Sequence, residues 1–178
     1  MKNAWFMKVF KYKDDIRKQV QNAKQHGYSV GFVPTMGALH KGHLSLVNCS
    51  LNNNDYTVVS IFVNPTQFNN PEDLQHYPRM LEKDLDILRN YKVDWVFAPD
   101  VHEMYPEKDT RVFDFGRLDK VMEGKYRQGH FNGVAQVVSK LFDAVKPHRA
   151  YFGKKDFQQF VIIRELTRQM ALPLDVVA

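Results

Sequence analysis

The stretch Ser29-Val30-Gly31-Phe32-Val33-Pro34-Thr35-Met36-Gly37-Ala38-Leu39-His40-Lys41-Gly42-His43 joins two patterns back to back. Ser29 to Val33 is a short apolar run, preceded by Gly27 and followed by Pro34-Thr35-Met36-Gly37. That predicts a buried strand ending in a turn. From His43 to Asn52 the pattern is helical, with Leu44, Leu46, Val47 and Leu51 around Cys49. A strand that hands over to a helix through a turn is the repeating unit of a parallel α/β sheet.

The alternation extends in both directions. Upstream, Asp14 to His26 reads as a helix, with Ile16, Val20 and Ala23 on one face and Gly27 as its stop. Downstream, Thr57 to Val63 is a second strand, dense in β-branched residues. A helix is predicted from Pro78 to Tyr91, with the proline in its first turn. A third strand follows at Val93 to Ala98, then a helix from Asn132 to Val145 stopped by Pro147. Arg149 to Phe152 reads as a fourth strand, Asp156 to Met170 as a helix, and Leu174 to Val177 as a fifth strand. The expected fold is α/β, a parallel sheet with helices on both faces. Such sheets bind ligands at the carboxyl ends of their strands. Chemistry is therefore expected after Val33, Val63, Ala98 and Phe152.

The chain's 178 residues suit one domain with a real core. Its 44% hydrophobic and 25% charged residues are ordinary for a globular protein. No apolar run approaches the ~20 residues of a membrane span, so no membrane role is expected. Met1 to Lys13 lacks an apolar core followed by small residues, so no signal peptide is expected. The single cysteine, Cys49, excludes a disulfide within the chain, suits a reducing compartment and reads as a small buried residue. A net charge of +5 without a basic run suits an anionic small substrate as well as nucleic acid.

Four segments carry chemistry. Pro34 to His43 sets two imidazoles around Gly42 where a strand meets a helix N-terminus. Free N–H groups and the helix dipole favour phosphate there, and histidines add directional donors. Ile61 to Phe68 leaves the second strand with Asn64 and Gln67, which both donate and accept, as a hydroxylated acid requires. Glu123 to Val134 carries three glycines and several cations ahead of a helix, and is expected to be a flexible anion-binding loop. Tyr151 to Gln159 follows the fourth strand. There Gly153 permits close approach, lysine can neutralise a triphosphate, and Asp156 can cap the helix or bind ribose hydroxyls.

Taken together and in this order, Pro34–His43, Val63–Phe68 with Tyr77-Pro78-Arg79, Gly129–Gly133 and Phe152–Gln159 resemble the pantothenate synthetase (pantoate–β-alanine ligase) family. The resemblance implies a Rossmann-like fold shared with class I aminoacyl-tRNA synthetases and nucleotidylyltransferases, with their His-x-Gly-His signature. It implies that ATP and pantoate form a pantoyl adenylate, which β-alanine converts to pantothenate and AMP. His40, His43 and Lys155 would be catalytic, with Met36, Gly153 and Asp156 also at the ATP. Asn64, Gln67 and Gln159 would hold pantoate, with Arg127 and His130 near the acid. Mg2+ would accompany ATP, with Asp84 holding it through water. The resemblance further implies a homodimer in the cytoplasm. It also implies a closing loop and a C-terminal lid domain beyond Ala178, so that residues 1–178 form the ATP- and pantoate-binding domain and turn over slowly alone.

Three rivals make different demands. A nucleotidylyltransferase acting on a phosphorylated substrate would want Arg or Lys where Asn64 and Gln67 stand. A nucleic-acid-binding module needs aromatics interleaved with cations on an exposed face, whereas Phe62, Phe68 and Phe152 sit in or beside strands. A nucleotide sensor would bind ATP without turnover. Pyrophosphate exchange dependent on pantoate separates the nucleotidylyltransferase from a ligase.

Overall fold

The computed structural model describes residues 6–178. Lys8–Phe10 is strand β1, followed by helix α1 (Lys13–Gln25), β2 (Val30–Thr35), α2 (Lys41–Asn53) and β3 (Tyr56–Ile61). A 3₁₀ turn at Pro65–Gln67 leads to α3 (Pro71–His76), α4 (Leu81–Asn90), β4 (Trp95–Phe97) and α5 (Val101–Met104). The chain continues through α6 (Glu123–Tyr126), α7 (His130–Val145) and β5 (Arg149–Tyr151). A second 3₁₀ turn at Lys154–Asp156 enters α8 (Phe157–Gln169), and β6 (Asp175–Val177) ends the described chain.

Among the described residues the strands form one six-stranded parallel sheet in the order β1-β4-β3-β2-β5-β6. The period-2 alternation of the strands sends neighbouring residues to opposite faces. Phe32, Val58, Trp95, Phe97 and Ala150 pack into one core with Ile16 and Val20 of α1, Leu141 and Phe142 of α7, and Ile162 and Leu166 of α8. Val33, Val59, Val96 and Tyr151 pack into the other with Val47 of α2 and Leu85 and Leu88 of α4. From β2 the chain builds outward through β3 to β4, then returns to place β5 on β2's other side. The order reverses between β2 and β5, and the crevice outside their carboxyl ends is where such sheets take ligands.

The expected α/β architecture holds, with differences in detail. β1 adds a sixth strand at the edge, where three residues give too short a pattern to read. The helix expected from Pro78 begins instead at Leu81. Tyr77 before the proline is extended, as a following pyrrolidine ring favours. β2 runs through Pro34 to Thr35 because β5 pairs only with Gly31 and Phe32, so no ladder hydrogen bond is asked of the proline on that side. The short helices α3, α5 and α6 had no expected counterpart. Among the described residues no helix is long and apolar enough to cross a membrane. The reading of Met1 to Lys13 as leaderless falls partly on residues 1–5, which lie outside the described residues.

Candidate active site

The turn after β2 is clamped residue by residue. Thr35 Oγ1 accepts the Gly37 N–H at 3.1 Å and gives its own proton to the Ser60 carbonyl at 2.7 Å. Gly37 (φ +82°) and Ala38 (φ +50°) are both left-handed, which reverses the chain. The next two amides, of Ala38 and Leu39, donate to the two oxygens of Asp84 at 2.9 and 2.8 Å. His40 then caps α2, its Nδ1 accepting the Gly42 N–H at 3.1 Å. An accepting Nδ1 leaves the neutral ring's proton on Nε2, so the free edge of His40 is a donor. Gly42 is required because a Cβ there would lie 2.9 Å from His40 Cε1. His43, one helical turn on, stacks on His40 with centroids 4.0 Å apart and planes at 26°. Burial first, and then the His40 charge, push the His43 pKa below its ordinary value, while Asp84 and Asp156 oppose them.

Two adjoining cavities open at this corner. One, of about 530 Å³, is lined by His40, Gly42, His43, Gly153, Lys155 and Asp156. The other, of about 170 Å³, is lined by Met36, Asn64, Gln67, Gln159 and an apolar wall that includes Phe62, Val134, Val138 and Leu141. His43, Asp156 and Gln159 line both. Asp156 stands at the start of α8 without a side-chain capping bond, so its exposed carboxylate remains available. Its neighbour Gln158 faces away, binding the Glu123 N–H and the Leu118 and Val121 carbonyls. Of the Gln158-Gln159 pair, then, the second is the cavity residue.

Several residues expected at the site have protein partners of their own. Asn64 is 1% exposed and its polar atoms are engaged. Its Nδ2 donates to Gln67 Oε1 and the Gly133 carbonyl, each at 3.2 Å, and its Oδ1 accepts from the Tyr105 hydroxyl at 2.8 Å and from Thr66. It therefore aims Gln67. Met36, expected at the nucleotide, lines the smaller cavity, and its sulfur accepts a hydrogen bond from Gln67 Nε2 at 3.3 Å. His130 is buried, and its Nδ1 bonds the Gln67 carbonyl at 2.9 Å, pinning the first 3₁₀ turn. Arg127 lines neither cavity and is paired with Glu123 on the surface. The expected anion loop around it is instead α6 and the first turn of α7, where Gly133 allows contact with Thr66: a Cβ there would lie 2.5 Å from the Thr66 carbonyl oxygen. Asp84, expected to hold Mg2+, is 2% exposed and has both oxygens on backbone amides. Among the described residues no three His, Cys, Asp or Glu side chains gather as a metal site. Tyr105 was not foreseen, since nothing in its spacing links it to Asn64, 41 positions away.

The family model for pantoate-beta-alanine ligase matches residues 8–178. The pantothenate synthetase of Bacteroides fragilis is 58% identical over 171 residues, covering 96% of this chain and 61% of its own length. That of Bacteroides thetaiotaomicron is 56% identical with the same coverage. Among solved structures, a Thermus thermophilus pantothenate synthetase superposes with TM-score 0.89 at 46% identity, covering 97% of this chain and 61% of that one. A Francisella tularensis pantoate-beta-alanine ligase, complexed with beta-gamma ATP and beta-alanine, superposes with TM-score 0.92 at 39% identity, covering 97% and 67%. The chain thus spans about three fifths of the length of the relatives it matches. With its sheet order, its paired histidines and nearly every residue matched, the chain belongs to the pantoate–beta-alanine ligase family.

Proposed function

We propose that the protein activates pantoate with ATP and passes the acyl group to β-alanine. The observation that carries this is the pair of cavities sharing His43, Asp156 and Gln159, one lined by imidazoles, lysines and glycines and the other mainly by neutral amides and apolar side chains. The larger lies within the ~300–1,000 Å³ typical of small-molecule sites, and the smaller suits a compact acid. A pantoate carboxylate oxygen attacks the ATP α-phosphorus and pyrophosphate leaves. The β-alanine amine then attacks the acyl carbon and AMP leaves, while the amine proton goes to solvent or to AMP phosphate.

A carboxylate is a poor electrophile because its leaving group would be oxide, and adenylation replaces that with AMP. The protein's task is then positioning and charge neutralisation. His40 Nε2–H, His43 and Lys155 face the triphosphate. Gly153 and Asp156 meet the ribose. Gln67, aimed by Asn64, and Gln159 hold the pantoate hydroxyl and carboxylate groups, while the valine and leucine wall packs on its methyl groups. Magnesium would have to be brought by the nucleotide, since no metal-binding cluster stands among the described residues, and it would supply further neutralisation of phosphate charge. The reading extends to a cytoplasmic homodimer. Sedimentation of the full-length protein measures its oligomeric state.

Calorimetry of the full-length protein tests the ligand assignment. ATP and pantoate should each bind, and pantoate should bind more tightly than phosphopantoate because its cavity offers neutral amides. Tighter phosphopantoate binding would favour a nucleotidylyltransferase.

A further inference from the structure

The carboxylate of Asp84 lies in a concavity made by the turn that leads into the histidine pair. Gly37 and Ala38 have successive positive φ angles, and the turn they make brings the Ala38 and Leu39 amides onto one anion. The anion here is the chain's own. Asp84 comes from the first turn of α4, 46 positions from Ala38, and accepts both amides. The fit is close: a Cβ on Gly37 would lie 2.9 Å from Asp84 Oδ2 and 3.1 Å from Ile61 Cγ2. A carboxylate 2% exposed is costly to bury unless hydrogen-bonded, and these two charge-assisted bonds answer that cost. With Thr35 holding the Gly37 amide, every backbone N–H from Gly37 to Leu39 is held by a side chain. His40, whose ring must cap α2 and stack on His43, is the next residue.

We infer that Asp84 is a positioning residue: by filling the Gly37–Leu39 turn it fixes where His40 and His43 stand before ATP arrives, and it is not a ligand of the nucleotide's magnesium. The inference rests on the reading of those histidines as ATP ligands. Left-handed backbone at Ala38 is disfavoured for a residue with a Cβ, so the turn needs an outside brace to stay closed. α4 supplies it through Asp84.

The test uses the full-length protein with Asp84→Asn and Gly37→Ala, which disturb the same contact from its two sides. In the wild type, amide signals of Ala38 and Leu39 should be shifted downfield by the carboxylate, and both should move upfield in Asp84→Asn. ATP affinity measured without magnesium should fall about tenfold in each variant, and adenylation about a hundredfold, with the KM for pantoate within twofold of wild type. The double variant should be no worse than the worse single. Recovery of wild-type rates at excess magnesium, or unchanged magnesium-free ATP affinity in both variants, would overturn the inference. If Asp84→Asn does not fold, Gly37→Ala decides by the same measurements. If the wild type binds no ATP, the proposed function falls, while unmoved amide signals would still sink the brace on their own.

Discussion

Gly42→Ala should separate catalysis from stability. The added Cβ would lie 2.9 Å from His40 Cε1 and 3.1 Å from Nδ1. Optimal carbon contacts are about 3.5–4.0 Å, so the ring must retreat by roughly 0.6 Å or more. That retreat breaks the Nδ1 cap on the Gly42 amide and disturbs the 4.0 Å stack on His43. Losing an N-cap costs about 1 kcal/mol. Replacing glycine by alanine near a helix start returns a comparable amount, up to about 1 kcal/mol. Net stability should therefore change by less than about 1 kcal/mol. A displaced transition-state donor has no such offset, and an error approaching 1 Å costs on the order of 10²-fold. Urea unfolding and ATP–pyrophosphate exchange on the full-length protein measure the two quantities. Exchange at the wild-type rate, or a stability loss above about 2 kcal/mol, would refute the reasoning.

Other expectations follow from the same geometry. Asn64→Ala should raise the KM for pantoate while leaving ATP affinity within twofold, because Asn64 aims Gln67 and its hydrogen bonds reach no residue of the phosphate side; steady-state kinetics with each substrate varied reads this. His43 has a pKa lowered by burial, so it is neutral at pH 7, and a triphosphate beside it should pull the pKa back up. ATP binding near pH 7 should then take up protons, and binding heats that do not vary with buffer ionisation enthalpy would contradict this. The Arg111 guanidinium holds the Asp109 carboxyl down at about 2, against the opposing effect of burial. Because that folded value is depressed below the unfolded ~3.9, its stabilising contribution is present above about pH 4 and lost as pH falls toward 2. Asp109→Asn should therefore lower stability at pH 7 and converge with wild type near pH 2 in urea unfolding.

The sheet was legible because its strands are short apolar runs and its helices show one apolar face, as at Ile16, Val20 and Ala23. Local signals also marked both sides of the crevice, since Met36 to His43 and Phe152 to Asp156 each follow a strand. What the pattern could not show was which polar residues are free to face a cavity and which are spent on other protein groups. Asn64 and Gln67 look equivalent in sequence, yet the approach of α7 at Gly133 and the hydroxyl of Tyr105 use up the first. Arg127 and His130 sit in a glycine-rich stretch that looks like a phosphate loop. The helical turn of α6 gives Arg127 to Glu123, and packing gives His130 to the Gln67 carbonyl. Asp84 reads as an ordinary acidic residue in a helix's first turn, and only the left-handed backbone at Gly37 and Ala38 reveals its partner. Long-range contacts decided each of these, and no local periodicity encodes them.

The most direct test of the central claim is isotope exchange between pyrophosphate and ATP catalysed by the full-length protein. If the two adjoining cavities hold ATP and pantoate in line, exchange should require pantoate, should proceed without β-alanine, and should fall by roughly 10²- to 10³-fold in His40→Ala or His43→Ala. Exchange that is independent of pantoate, or unchanged in both histidine variants, would contradict the account.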